Sequence, residues 1–155
     1  MIGIWTQGLG LWFEGVNGMA YRVFDHTADL GVEVTAATRE DLYAGAAIAL
    51  FDLMADLSTV RAGTSREVAV AGEDAADLLV NFLRELLDAH NGDGFLVKAC
   101  LVRELNVCKI RALLRGERFD PARHRIAREI KAVTYHQASV EKTGDGWKAR
   151  VVFDV

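Results

Sequence analysis

The chain has 155 residues, 26% of them charged and 51% hydrophobic, with two Cys, one Pro and a formal net charge of −4. That apolar content with so little net charge excludes a largely disordered chain, the acidic balance excludes a generally basic nucleic-acid binder, and two Cys exclude a disulfide scaffold. The length fits one domain, and no run approaches the roughly 18 apolar residues of a membrane span.

Residues 1–18 carry two of the three Trp, five Gly and a single charge, Glu14. A secretory signal would have Lys or Arg near its start and an unbroken apolar centre. This segment has neither, so it is expected to be a disordered leader or a mis-assigned start, with the domain spanning residues 19–155. Without an export signal the protein is expected in the cytoplasm, with Cys100 and Cys108 as free thiols. The bland reading of that pair is two small buried hydrophobes, although a turn centred on Glu104 would let them face each other.

Alternation predicts strands over residues 21–25 and 30–36, joined by Asp25-His26-Thr27-Ala28-Asp29. Thr38 with an acid three residues on predicts a helix start. Leu42, Ala46, Ala49, Leu50, Phe51, Leu53 and Met54 give that helix an apolar stripe to about residue 56. A short strand follows over 66–70. A second helix begins near Gly72 and Asp74, buries Leu78, Leu79, Phe82, Leu83, Leu86 and Leu87, and is expected to stop at Asn91-Gly92. The remainder reads as β: a hairpin over 95–105 and 107–116, a strand over 130–142, a turn at residues 143–146 and a last strand over 147–155. The order is ββαβα and four strands. It predicts an α+β fold, a two-layer single domain of mostly antiparallel sheet with two amphipathic helices on one face.

The common nucleotide-binding, nucleophile-elbow and zincin motifs are absent, and a Cys spacing of eight gives no zinc pair. Residues 109–131 hold eight basic residues against three acids, a net of +5, so the rest of the chain carries −9. Such a segment can steer an acidic partner or RNA, although a solvated hairpin and loop would look the same. Two acidic spots stand out: Asp29 in the first connection and Asp154 beside the terminal carboxylate.

The chain resembles the archease family from Tyr21 to Val155. The resemblance is carried by Asp25-His26-Thr27-Ala28-Asp29, Ala49-Leu50-Phe51-Asp52-Leu53-Met54, Gly72-Glu73-Asp74 leading into Leu78-Leu79-Val80-Asn81-Phe82-Leu83, Arg115-Gly116-Glu117, Asp120-Pro121, Lys131-Ala132-Val133-Thr134-Tyr135-His136 and Phe153-Asp154-Val155. It implies an accessory protein rather than a free-standing enzyme. Such a protein activates an RtcB-type RNA ligase, promoting its guanylylation and multiple turnover in tRNA splicing or RNA repair. It implies a calcium-type site at Asp29, Asp154 and Val155. Oxygen donors suit Ca²⁺, or Mg²⁺ or Mn²⁺, better than a thiophilic ion. His26, Lys131, Tyr135 and His136 become candidate partner contacts, with indirect contact to RNA and none to membrane. The competing classes are a general protein-interaction or chaperone-like module and a stand-alone metal-dependent phosphoesterase.

Overall fold

The computed structural model describes residues 4–6, 11–14, 18–26 and 29–155, with the backbone alone for 4–6, 11–14, 25 and 26. The strands are β1 (Ile4–Thr6), β2 (Leu11–Glu14), β3 (Ala20–His26), β4 (Asp29–Ala36), β5 (Thr64–Ala71), β6 (Phe95–Leu105), β7 (Lys109–Arg118), β8 (Ala132–Lys142) and β9 (Trp147–Asp154). The helices are α1 (Arg39–Met54) and α2 (Ala75–Asp93), with a 3₁₀ turn at Leu57–Thr59. The α+β architecture expected from the sequence is present, with all strand pairing antiparallel.

The strands divide between two sheets. One has six strands in the order β1-β2-β3-β4-β9-β8, and the other has three in the order β5-β7-β6. Periodicity assigns faces to a strand but not neighbours, so this division was not readable from it. Both helices join the sheets. α1 packs against β3, β4 and β9 on one side and β6 on the other, while α2 packs against β8 and against β5, β6 and β7. That position explains the burial of α1. Its predicted stripe is buried except for the partly covered Leu53, and Tyr43, Gly45 and Ala47 are buried as well. A helix between two sheets buries more than one face.

Local chemistry sets the helix ends. The Thr38 hydroxyl accepts from the Asp41 N–H at 3.1 Å, and the Asp74 carboxylate accepts from the Asp77 N–H at 2.8 Å. Each satisfies one of the donors that a helix start leaves open. α2 runs through Asn91-Gly92 and stops at Gly94, which takes a left-handed φ of 74° and donates to the His90 carbonyl at 2.7 Å. Residue 94, rather than 92, is where the chain needs the glycine.

Seven residues of the expected leader are strands, β1 and β2, with Trp5 opposite Trp12 and Trp12 opposite Arg22. Their aromatic and β-branched content favours pairing. The β6–β7 turn centres between Val107 and Cys108 rather than on Glu104, so Cys100 lies opposite Leu114 and Cys108 sits in the turn. The two thiols are free and do not face each other. Burial pushes the Cys100 thiol up to about 12. Among the described residues no helix is long and apolar enough to cross a membrane.

Candidate functional site

The β3–β4–β9–β8 ladder brings four positions into one row: His26 opposite Asp29, Asp29 opposite Asp154, and Asp154 opposite Ala132. Directly opposed residues share a face, with Cβ atoms about 4.5–5.5 Å apart. Asp29 opens β4 and Asp154 closes β9, so both carboxylates stand at one end of the sheet, half-buried, with the 37%-exposed Val155 next in the chain. The Lys131 N–H donates to the Asp154 carbonyl at 2.8 Å and ties the entry of β8 to this end.

The next rows of the same face explain how it is held. Phe24 lies opposite Gly31 and Gly31 opposite Val152. A Cβ on Gly31 would fall 2.1 Å from the Phe24 ring, so glycine makes room for that ring to lie flat on the sheet. The Arg150 guanidinium sits 4.3 Å from the Phe24 ring centre. Glu33, only 6% exposed, is paired with Arg22 at 3.1 Å and Arg150 at 3.6 Å. A buried carboxylate needs such partners, and they leave the acids at Asp29 and Asp154 as a separate group further along the strands.

Asp29, Asp154 and the Val155 carboxylate are all oxygen donors, the chemistry of a hard cation. Like charges this close oppose one another unless a cation intervenes. Among the described side chains no three of His, Cys, Asp and Glu gather as a metal site. The ligand set expected from the sequence is two acidic side chains and the main-chain carboxylate of Val155. That is fewer than the roughly 6–8 oxygens Ca²⁺ prefers, so water or a partner would complete the shell.

The proposed partner contacts fall beside this row. The His26 backbone ends β3 opposite Asp29; its side chain lies outside the described residues. Lys131 is exposed. β8 is an edge strand whose ladder breaks between Thr134 and Ser139, where Gln137 has a φ of 56°. The break turns Tyr135 onto α2. Its hydroxyl donates to Asn81 Oδ1 at 3.0 Å, and the Arg84 guanidinium lies 4.4 Å from its ring centre. Arg84 also donates to the Val133 carbonyl at 2.9 Å. The neighbouring Asp77 carboxylate, with desolvation, raises the Tyr135 phenol. Half of Tyr135 remains exposed and His136 is exposed, so the excursion presents side chains at an edge that would otherwise be flat.

The basic stretch is less available than its charge suggests. Arg111 pairs with Glu67 and Glu104, and Arg123 with Glu117 and Asp120. Sequence reasoning missed the group around Glu117. This carboxylate accepts from Arg123 at 2.6 Å and from the Arg61 N–H at 2.8 Å. Buried His124 accepts from the Asp120 N–H through Nδ1 at 2.8 Å, which leaves Nε2–H to donate to Glu117 at 2.9 Å. The only signal in the sequence was one His and two acids among arginines. The group pins residues 117–124, leaving Arg125, Arg128 and Lys131 exposed.

The Arg123 hydrogen bonds lead in holding Glu117 down at about 2. A carboxylate depressed in the fold stabilises it above the unfolded value, about 4.3, and loses that effect as pH falls toward the folded one. Wild type should therefore exceed Glu117→Gln in urea midpoint at pH 6, with the gap narrowing steadily to pH 3. A gap independent of pH would show that the carboxylate charge contributes nothing.

The fold and the acidic row define a small α+β protein with candidate metal ligands at the end of a sheet. The model of the archease protein family (MTH1598/TM1083) matches residues 21–155, and the chain belongs to that family. It is 41% identical over 140 residues to the archease of Methanopyrus kandleri, covering 88% of this chain and 100% of that one. It is 38% identical over 136 residues to the archease of Pyrococcus abyssi, covering 85% and 96%. The solution structure of Methanobacterium thermoautotrophicum protein 1598 superposes with a TM-score of 0.74 at 29% identity, covering 87% of this chain and 98% of that one. A Thermotoga maritima archease, described as a possible chaperone, shares the fold with a TM-score of 0.59 at 23% identity, covering 85% and 94%.

Proposed function

We propose that the chain is an accessory protein that activates an RtcB-type RNA ligase, in tRNA splicing or RNA repair, through a divalent-metal site at Asp29, Asp154 and Val155. The observation that carries this reading is the direct cross-strand pairing of Asp29 with Asp154, one residue before the terminal carboxylate. Membership of the archease family supports it, through the role the sequence resemblance implies.

In this reading Asp29 and Asp154 supply side-chain oxygens and Val155 its main-chain carboxylate, at a sheet end that a partner can approach. Bound there, Ca²⁺, Mg²⁺ or Mn²⁺ would neutralise phosphate charge as the ligase histidine attacks the GTP α-phosphate. Lys131, Tyr135 and His136 form the docking edge, with His26 in the acidic row. Exposed Arg125 and Arg128 follow the RNA or an acidic ligase surface. The chain itself catalyses nothing, and it acts in the cytoplasm.

Ligase guanylylation with labelled GTP tests this. Wild type should stimulate under multiple turnover, and Asp29→Ala and Asp154→Ala should each lose at least tenfold of the stimulation while melting as wild type does. Stimulation by both variants would remove the metal site from the mechanism. No stimulation by wild type of a cognate ligase would remove the activator role. Hydrolysis of a model phosphoester by the chain alone, lost in Asp29→Ala, would favour the phosphoesterase instead.

A further inference from the structure

A second feature lies at the opposite end of β3. Among the described residues, a cavity of about 590 Å³ is lined by residues of α1 and β6, with Met19 in its lining. That volume falls in the roughly 300–1,000 Å³ range of ligand sites. Met19 packs so closely on α1 that a Cβ on Gly45 would lie 2.2 Å from its side chain. One wall carries Asp41, Ile48 and Asp52, with Asp56 beyond the helix end. The other wall includes three consecutive residues of β6, Lys98, Ala99 and Cys100.

Three consecutive residues can line one cavity when the strand presents its edge as well as a face. β6 is an edge strand of the three-stranded sheet. Its ladder to β7 has irregularities at 97/99 and 102/104, and between them Ala99, Cys100, Leu101 and Val102 pair regularly. That regular window has an outer side with no strand beside it among the described residues. It also carries Leu101, 56% exposed, one of the few exposed large hydrophobics among the described residues.

The charges favour a cationic occupant. Lys98, the one basic side chain among the described lining residues, donates to the Leu57 carbonyl at 2.6 Å, so it is held at the Leu57 end of the cavity. Three acids, Asp41, Asp52 and Asp56, face that single cation, with Asp52 also accepting from the Tyr21 hydroxyl. Asp41 and Asp52 are eleven positions apart on α1, about 16 Å at the helix rise, with Ala44, Gly45 and Ile48 between them. An extended strand covers that distance in about five residues. The chain's own residues 1–18 do not fit, because they contain no Lys or Arg.

We propose that this groove binds an extended basic peptide segment of a partner protein. The segment adds to the edge of β6 at residues 99–102, directs apolar side chains toward Met19 and Ile48, and places Lys or Arg against Asp41 and Asp52. Main-chain hydrogen bonds to the edge would supply affinity and the alternating side chains selectivity.

The test uses the full chain and a fluorescein-labelled heptapeptide of alternating lysine and valine, followed by anisotropy. It should bind at least tenfold more tightly than its glutamate–valine counterpart. Asp41→Asn with Asp52→Asn should weaken it at least tenfold, and bound peptide should slow amide exchange at 99–102. Ala44→Trp, which fills the groove without touching the acids, should abolish binding while keeping the circular dichroism of the parent. Equal binding of both peptides, unchanged binding by Ala44→Trp, or binding without protection at 99–102 would overturn the proposal. So would displacement by spermidine at concentrations equal to the peptide, which would make the groove a polyamine site.

Discussion

Phe82→Ala should cost about 3–5 kcal/mol of stability and lower Tm by roughly 6–20 °C for a chain of this size. Phe82 is fully buried in α2, its ring centre 6.4 Å from that of Tyr43 on α1. Tyr43 in turn donates to the Ala75 carbonyl at the start of α2, at 2.6 Å. The two rings thus close the seam between the helices, where the sheets hold the helices in place and neither can collapse freely into the void. The neighbours of Phe82 extend the effect. Asn81 and Arg84 hold Tyr135, so loosening α2 should also release the excursion in β8. Urea unfolding followed by circular dichroism gives the first quantity and Tyr135 amide exchange the second. A loss below about 1 kcal/mol would show that the seam repacks.

Extending the C-terminus by two residues should weaken divalent-cation binding at least tenfold, about 1.4 kcal/mol, while an equal extension at the N-terminus should not. The extension converts the Val155 carboxylate into an amide carbonyl and removes one of the three charged donors of the proposed site. It should spare the fold, because β9 ends at Asp154 and the Asp154 carbonyl still accepts from the Lys131 N–H. Titration calorimetry with Ca²⁺ and Mn²⁺ measures the change. Equal affinity in the two extended chains would remove the Val155 carboxylate from the proposed site.

Much of this fold was legible because local chemistry and tertiary structure agree. Thr38 and Asp74 mark helix starts and cap them in fact. The apolar faces of α2 and β9 are the buried ones. The division into two sheets was not legible, since alternation in residues 95–118 suits either sheet. The excursion in β8 was hidden for a similar reason: its residues continue a strand-like pattern through the break at 134–139. At the site, the sequence showed two isolated acids near opposite ends of the domain. Their partnership came from the family resemblance, and the ladder supplies its physical basis by making them direct neighbours. The Glu117 group could not be found beforehand, because a buried histidine and a solvated one look alike among arginines.

The last strand in the sequence is an inner strand in space, seated between β4 and β8. During synthesis the earlier strands of its sheet wait for residues 147–154, and non-local pairing of this kind forms late. An interrupted chain therefore lacks an inner strand of the sheet as well as Asp154 and the terminus. Translation that stops early should yield an unfolded product for proteolysis rather than a folded decoy with half an acidic row. Until residues 147–154 have been made, β4 and β8 lack the strand that joins them.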